Sequence, residues 1–158
     1  MTTWHDAQQL PGTWLDDCNN LLEPRARDDI QAAKERAERR LQKRSRGHSA
    51  SPPVGAVVAE LNFGFWRYLL APRYEHTLWL HAIRHGFPQV DGARERIFKP
   101  ISRLHLVRNR IAHLEPIHSR DLMRDDRDID EVIRAVCPKT ADWAASRRRL
   151  RALAATRP

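Results

Sequence analysis

The stretch Arg108-Asn109-Arg110-Ile111-Ala112-His113 gathers residue types that phosphodiester cleavage needs. Histidine moves protons near neutral pH. Arginine grips a phosphate through two donors and stabilises growing negative charge. Asparagine orients one or the other. Spacing limits how a single helix could use them. Arg108 and His113 lie about 140° apart around an ideal helix, so they do not share a face. Asn109 and His113, one turn apart, do. A site therefore needs Arg108 to reach around the helix, or a second copy of the chain to contribute. The purely structural alternative is a helix end with a partly satisfied arginine and a capping histidine. Arg110 and His118 lie beside these residues and are candidates for binding the substrate.

Arg108 is conspicuous for a second reason. Ile97, Ile101, Leu104 and Ile111 fall within one sector of a helix, at about 100° per residue, and Arg108 falls inside that sector. An arginine in an apolar stripe is costly unless it is paired or faces a wet cleft.

Helices are needed to carry these residues. Residues 1–24 read as an irregular lead-in with a short helix around TWLDDCNNLL. Residues 26–46 read as a helix with acids first and cations last, matching the helix dipole. Its apolar stripe of Ile30, Ala33, Ala37 and Leu41 is thin, which predicts a surface-lying helix. GHSASPP reads as a linker. Helical spacing runs from Val54 to a stop at Pro72, then through RYEHTLWLHAIRHGF, then over 92–113 with Pro100 as a kink or break. Ser119 is a candidate N-cap for the next helix, closed by Pro138, and a last helix starts near Thr140. No strand pattern competes. The expected architecture is an all-α bundle of five or six helices, divided into a 1–52 lead-in with its basic helix and linker, and a helical domain over 53–158.

Composition bounds the partners. The 158 residues carry 28 Lys and Arg against 20 Asp and Glu, a formal net charge of +8. That balance favours acidic partners, above all nucleic acid. Cys18 and Cys137 have no zinc spacing and suggest a reducing compartment. MTTWHDAQQLPGTW lacks the pattern of a signal peptide, and no apolar run approaches the ~20 residues of a membrane span. The expected setting is soluble and cytoplasmic. The aromatics Phe63, Phe65, Trp66, Tyr68, Tyr74 and Trp79 read mainly as core, with base stacking as the alternative. His81 and His85 are one turn apart, with His76 nearby, but nothing completes a metal set. The tail SRRRLRALAATR could touch phosphates or form a solvated cationic face. No Walker loop, GxGxxG or GxSxG occurs, and no cofactor is implied.

RNRIAHLEPI resembles the RNRIAHHEPI stretch of Abi-like (abortive infection) proteins, a branch of the HEPN superfamily marked by R-x4-H. ELNFGFWRYLLAPRYEHTLW resembles the FGFW segment upstream in the same family. The resemblance covers about residues 55–120 and extends loosely over the last two helices. It implies an HEPN-like helical domain, a homodimer with a cleft where two R-x4-H motifs meet, and metal-independent cleavage of RNA. The setting it implies is a toxin or phage-defence system with an antitoxin or defence partner. Residue by residue, Arg108 and His113 match the catalytic pair and Asn109 the polar position after the arginine. Leu114 departs from the family, which often has a second histidine there, and the chain starts late relative to the family's longer N-terminal region. The alternative function is a non-catalytic helical module that binds RNA or protein.

Overall fold

The computed structural model describes residues 1–17, 20–44 and 51–156. Among them every regular element is helical. The α-helices are α1 (Thr2–Ala7), α2 (Pro24–Arg44), α3 (Val54–Glu60), α4 (Phe63–Leu69), α5 (Arg94–Ala112), α6 (Leu122–Val136), α7 (Pro138–Ala145) and α8 (Leu150–Ala155). A π-helical segment spans Glu75–Trp79, and 3-10 turns occupy Trp14–Asp16, Pro72–Tyr74 and Ile83–Gly86. The expectation of an HEPN-like bundle of five or six helices is therefore corrected. The class is all-α, but the described residues form nine helices, eight α and one π.

Local chemistry explains the extra breaks. The run from Val54 to Pro72 divides at Leu61, whose ψ of 127° leaves the helix. The Asn62 side chain then accepts the Phe65 N–H at 2.8 Å and caps α4. The next expected helix is replaced by a Pro72 turn, the π segment, and a 3-10 turn after Ala82 leaves helical φ/ψ. α6 begins two residues later than expected, with the Asp121 carboxylate, not Ser119, accepting the Arg124 N–H at 2.9 Å. The last helix divides at 146–149. There Ser146 Oγ donates to the Trp143 carbonyl, and Arg148 turns back to Asp126 and Asp130 of α6. In the lead-in, the helical turn among the described residues of TWLDDCNNLL is Trp14–Asp16, closed by reciprocal Thr13–Asp16 bonds. Cys18 and most of the expected linker lie outside the described residues.

Two apolar clusters hold the chain. In the first, Ala26, Ile30, Ala33 and Ala37 of α2 meet Val57 of α3, Phe65 and Tyr68 of α4, and Tyr74, Leu78 and Trp14. The thin stripe of α2 is thus a buried seam, because alanines let α3 and α4 approach closely, while the opposite face of α2 stays solvated. In the second, Ile97 and Ile101 of α5 share a cluster with Leu70, Trp79 and Ala135 of α6. Trp79 Nε1 donates to the Gly92 carbonyl at 2.9 Å, and buried Arg94 donates to the Leu70 carbonyl at 2.8 Å and pairs with Glu75 at 3.3 Å. These bonds fasten the start of α5 to α4 and the π segment. Arg103 of α5 then forks onto buried Asp128 of α6 through two bonds of 2.6 Å. Arg103 meets Asp128 while Ile97 packs with Ala135, so α5 and α6 run in opposite directions. α5 passes through Pro100 without a break. Among the described residues no helix is long and apolar enough to cross a membrane.

The buried seam is directly testable. Ala33 is 0% exposed, and Ala33→Leu should destabilise the protein by about 1–3 kcal/mol through overpacking. A midpoint of urea unfolding unchanged from wild type would mean that α2 does not pack this way.

Candidate functional site

α5 enters the core at its N-terminal half and leaves it at its C-terminal half. Ile97 and Ile101 are buried and Leu104 is half-buried. Beyond them Leu106 is 58%, Ile111 54% and Leu114 93% exposed. Arg108 therefore interrupts no buried surface. It is exposed, and so is the isoleucine that continues its stripe.

The side chains at this end form a chain of contacts. Arg108 Nη1 donates to Asn109 Oδ1 at 3.3 Å. Asn109 Nδ2 in turn lies 3.4 Å from His105 Nε2. Asn109 thus connects Arg108 to His105, one turn back, and not to His113. His113 is the C-cap of α5, its N–H bonding the Asn109 carbonyl, with its side chain exposed. The 140° offset read from the spacing persists: no bond among the described residues joins His113 to Arg108 within one chain.

The end of α5 closes by backbone bonding. Leu114 N–H bonds the Ile111 carbonyl at 3.1 Å and Glu115 N–H the Arg110 carbonyl at 2.8 Å, the paired bonds of a Schellman motif. That motif places Leu114 in the left-handed region, with φ +56°, where glycine is favoured. Arg110 secures the same turn, donating to the Pro116 carbonyl at 3.3 Å and pairing with Glu115 at 3.6 Å. His118 lies exposed in the connection to α6.

His105 went unremarked in the sequence, although its spacing from Asn109 and Arg108 is that of neighbours on one helix face. It is half-buried, and its ring lies 5.9 Å from that of Phe63. A Cβ at Gly64 would come 3.1 Å from its Nε2, so glycine gives α4 and the histidine room to meet. Burial holds its pKa below the ordinary 6.5, assisted by the positive charges of Arg67, Arg108 and Arg25. The folded protein thus favours the neutral ring, a proton acceptor. Stability tied to that neutral form is present above 6.5 and is lost as pH falls, because the unfolded chain protonates first. Arg25, Arg67 and Arg108 make no ion pair among the described residues, and Arg67 Nε is buried without a hydrogen-bond partner.

Other candidates resolve more simply. Phe65, Tyr68, Tyr74 and Trp79 are buried core, while Phe63 and Trp66 are half-buried. Phe63 and Trp66 help line an apolar cavity of about 360 Å³ with Leu70, Ile83, Phe87 and Ile101. His81 stacks on Trp4 and is separated from His85 by the break at Ala82. Among the described residues no three His, Cys, Asp or Glu gather to hold a metal ion. In the tail, Arg147 lies 4.5 Å over the Trp143 ring, and Arg148 is paired with acids of α6. No family model matches the chain, and no curated protein or solved structure matches it.

The strained cap yields a prediction. Leu114→Gly should raise stability by about 1 kcal/mol by relieving the left-handed leucine, since an exposed side chain loses little packing. Leu114→Ala, which keeps a Cβ, should give no such gain. Equal unfolding midpoints for wild type and the glycine variant would contradict the strain.

Proposed function

We propose that this protein binds RNA and cuts it without a metal ion, at a site completed by two copies of the chain. The observation that carries this reading is Arg108. It is an exposed guanidinium at the free end of α5, bonded to Asn109 and without a carboxylate partner among the described residues. The net charge of +8 supports an anionic polymer as partner. The similarity of residues 108–113 to the Abi-like motif supports the same chemistry and a defence or toxin setting.

The second copy answers the spacing problem. Leu106 and Ile111 offer exposed apolar surface on the segment that carries Arg108 and His113. A two-fold contact there would bring one chain's His113 toward the other chain's Arg108. In the proposed reaction the ribose 2′-oxygen attacks the adjacent phosphorus while one His113 takes its proton. The bond to the 5′-oxygen breaks, and the second copy's His113 returns a proton to that oxygen. The products are a 2′,3′-cyclic phosphate and a 5′-hydroxyl. Arg108 stabilises the charge on the phosphorane-like transition state, and Asn109 orients it.

The test is RNA incubated with the full chain in chelator. Cleavage should persist, leave cyclic phosphate ends, slow as salt rises, and spare DNA, which lacks the attacking hydroxyl. His113→Ala should cost on the order of 10² in rate. Arg108→Lys should also slow the reaction, because lysine loses the planar two-point grip. Sedimentation should show a dimer. Activity lost in chelator, or undiminished in His113→Ala, would replace this reading with a non-catalytic binding module.

A further inference from the structure

The cations around His105 come from three helices. Arg25 lies in the first turn of α2, Arg67 on α4 and Arg108 on α5. Arg67 is one turn past Gly64, where α4 touches His105, and Arg108 is one turn past His105 itself. Arg25 lies 5.2 Å over the Tyr68 ring, beside Arg67 in the sequence. Arg73, on the same ring, is paired with Glu23, as Arg94, Arg103, Arg120 and Arg148 are paired with acids elsewhere. Arg25, Arg67 and Arg108 have no such partner among the described residues. Like charges that act on one ring from three helices repel one another, and an anion among them would relieve that repulsion. The buried Nε of Arg67, with no acceptor, is a donor still to be met.

We infer that Arg25, Arg67 and Arg108, with His105 and Asn109, form a subsite within one chain that holds a backbone phosphate of an RNA strand. A tetrahedral anion accepts donors from several directions at once, which suits guanidinium groups arriving from separate helices better than a planar carboxylate does. The Asn109 amide adds a neutral donor beside them, and Phe63 backs the His105 ring. A bound phosphate would also reverse the electrostatics at His105, favouring its protonated form. The inference rests on the proposed action on RNA and deepens it, but binding here needs no second copy.

The experiment follows the His105 ring by NMR in the full-length chain, in chelator and low salt, with hexauridylate and with inorganic phosphate as probes. His113→Ala provides the background, so that cleavage does not consume the strand. Hexauridylate should move the His105 signals, raise the ring's titration midpoint, and bind more tightly than inorganic phosphate. Arg67→Gln should weaken hexauridylate binding about tenfold, the scale of one lost charged hydrogen bond. Arg25→Gln, at an exposed position, should weaken it in the same direction and guards against a folding defect at Arg67. An unmoved His105, wild-type affinity in both arginine variants, or tighter binding of inorganic phosphate than of the oligonucleotide would each overturn the subsite. A normal His105 response in a wild-type protein that never cuts RNA would sink the cleavage reading and leave the subsite standing.

Discussion

The ion pair between Arg103 and Asp128 governs how α5 is presented. Asp128 is buried, and a buried carboxylate without a partner costs several kcal/mol, of order 3–5 when one member of a pair is removed. Two bonds of 2.6 Å from the Arg103 fork meet that need and lock one register of α5 against α6. A slip by one residue would turn the guanidinium away and strand the acid. Such a pair adds little net stability over a well-packed apolar one, while losing either member is costly. Because the register is set there, Ile97 and Ile101 point into the core, and the turns beyond Arg103 project from it.

That division of α5 explains why one helix serves two purposes. Its first half is anchored through its buried face: Arg94 reaches the Leu70 carbonyl, Trp79 reaches Gly92, and Ile97 is fully buried. Its second half carries Arg108, Ile111 and His113 in the open, ending in a cap strained by a left-handed leucine. Strain at such a position costs of order 1–3 kcal/mol and persists only where the surrounding bonds overdetermine it. The two Schellman bonds and the Arg110 contacts do so here. The exposed apolar residues and the unpaired cations are two unmet demands at neighbouring places, one for hydrophobic cover and one for negative charge.

Much of this was legible in the chain. The helical period of Ile97, Ile101 and Leu104 correctly identified the face of α5 that enters the core. The same period misled at Arg108, because it continues beyond the point where the neighbouring helices stop covering it. Helix count was less legible. Leu61, Ala82 and Ser146 carry no proline or glycine, and their breaks arise from an asparagine cap, a wide π turn and an arginine drawn toward α6. The alanines of α2 looked too weak a stripe to bury, yet their small size is what permits close helix contact. Glycine would have announced the left-handed cap, whereas Leu114 concealed it.

The sequence by itself determined the all-α class, the excess of positive charge, and the angular offset that keeps Arg108 and His113 apart on their own helix. These follow from local periodicity and composition, which do not depend on neighbours. Only the tertiary structure decided that Asn109 turns toward His105, that Gly64 gives that histidine room, and that the charges of Arg25 and Arg67, on other helices, act on its ring. Contacts between residues so distant along the chain are set by the packing of whole helices. A long side chain's partner depends on which backbone approaches it, and no spacing within one segment encodes that.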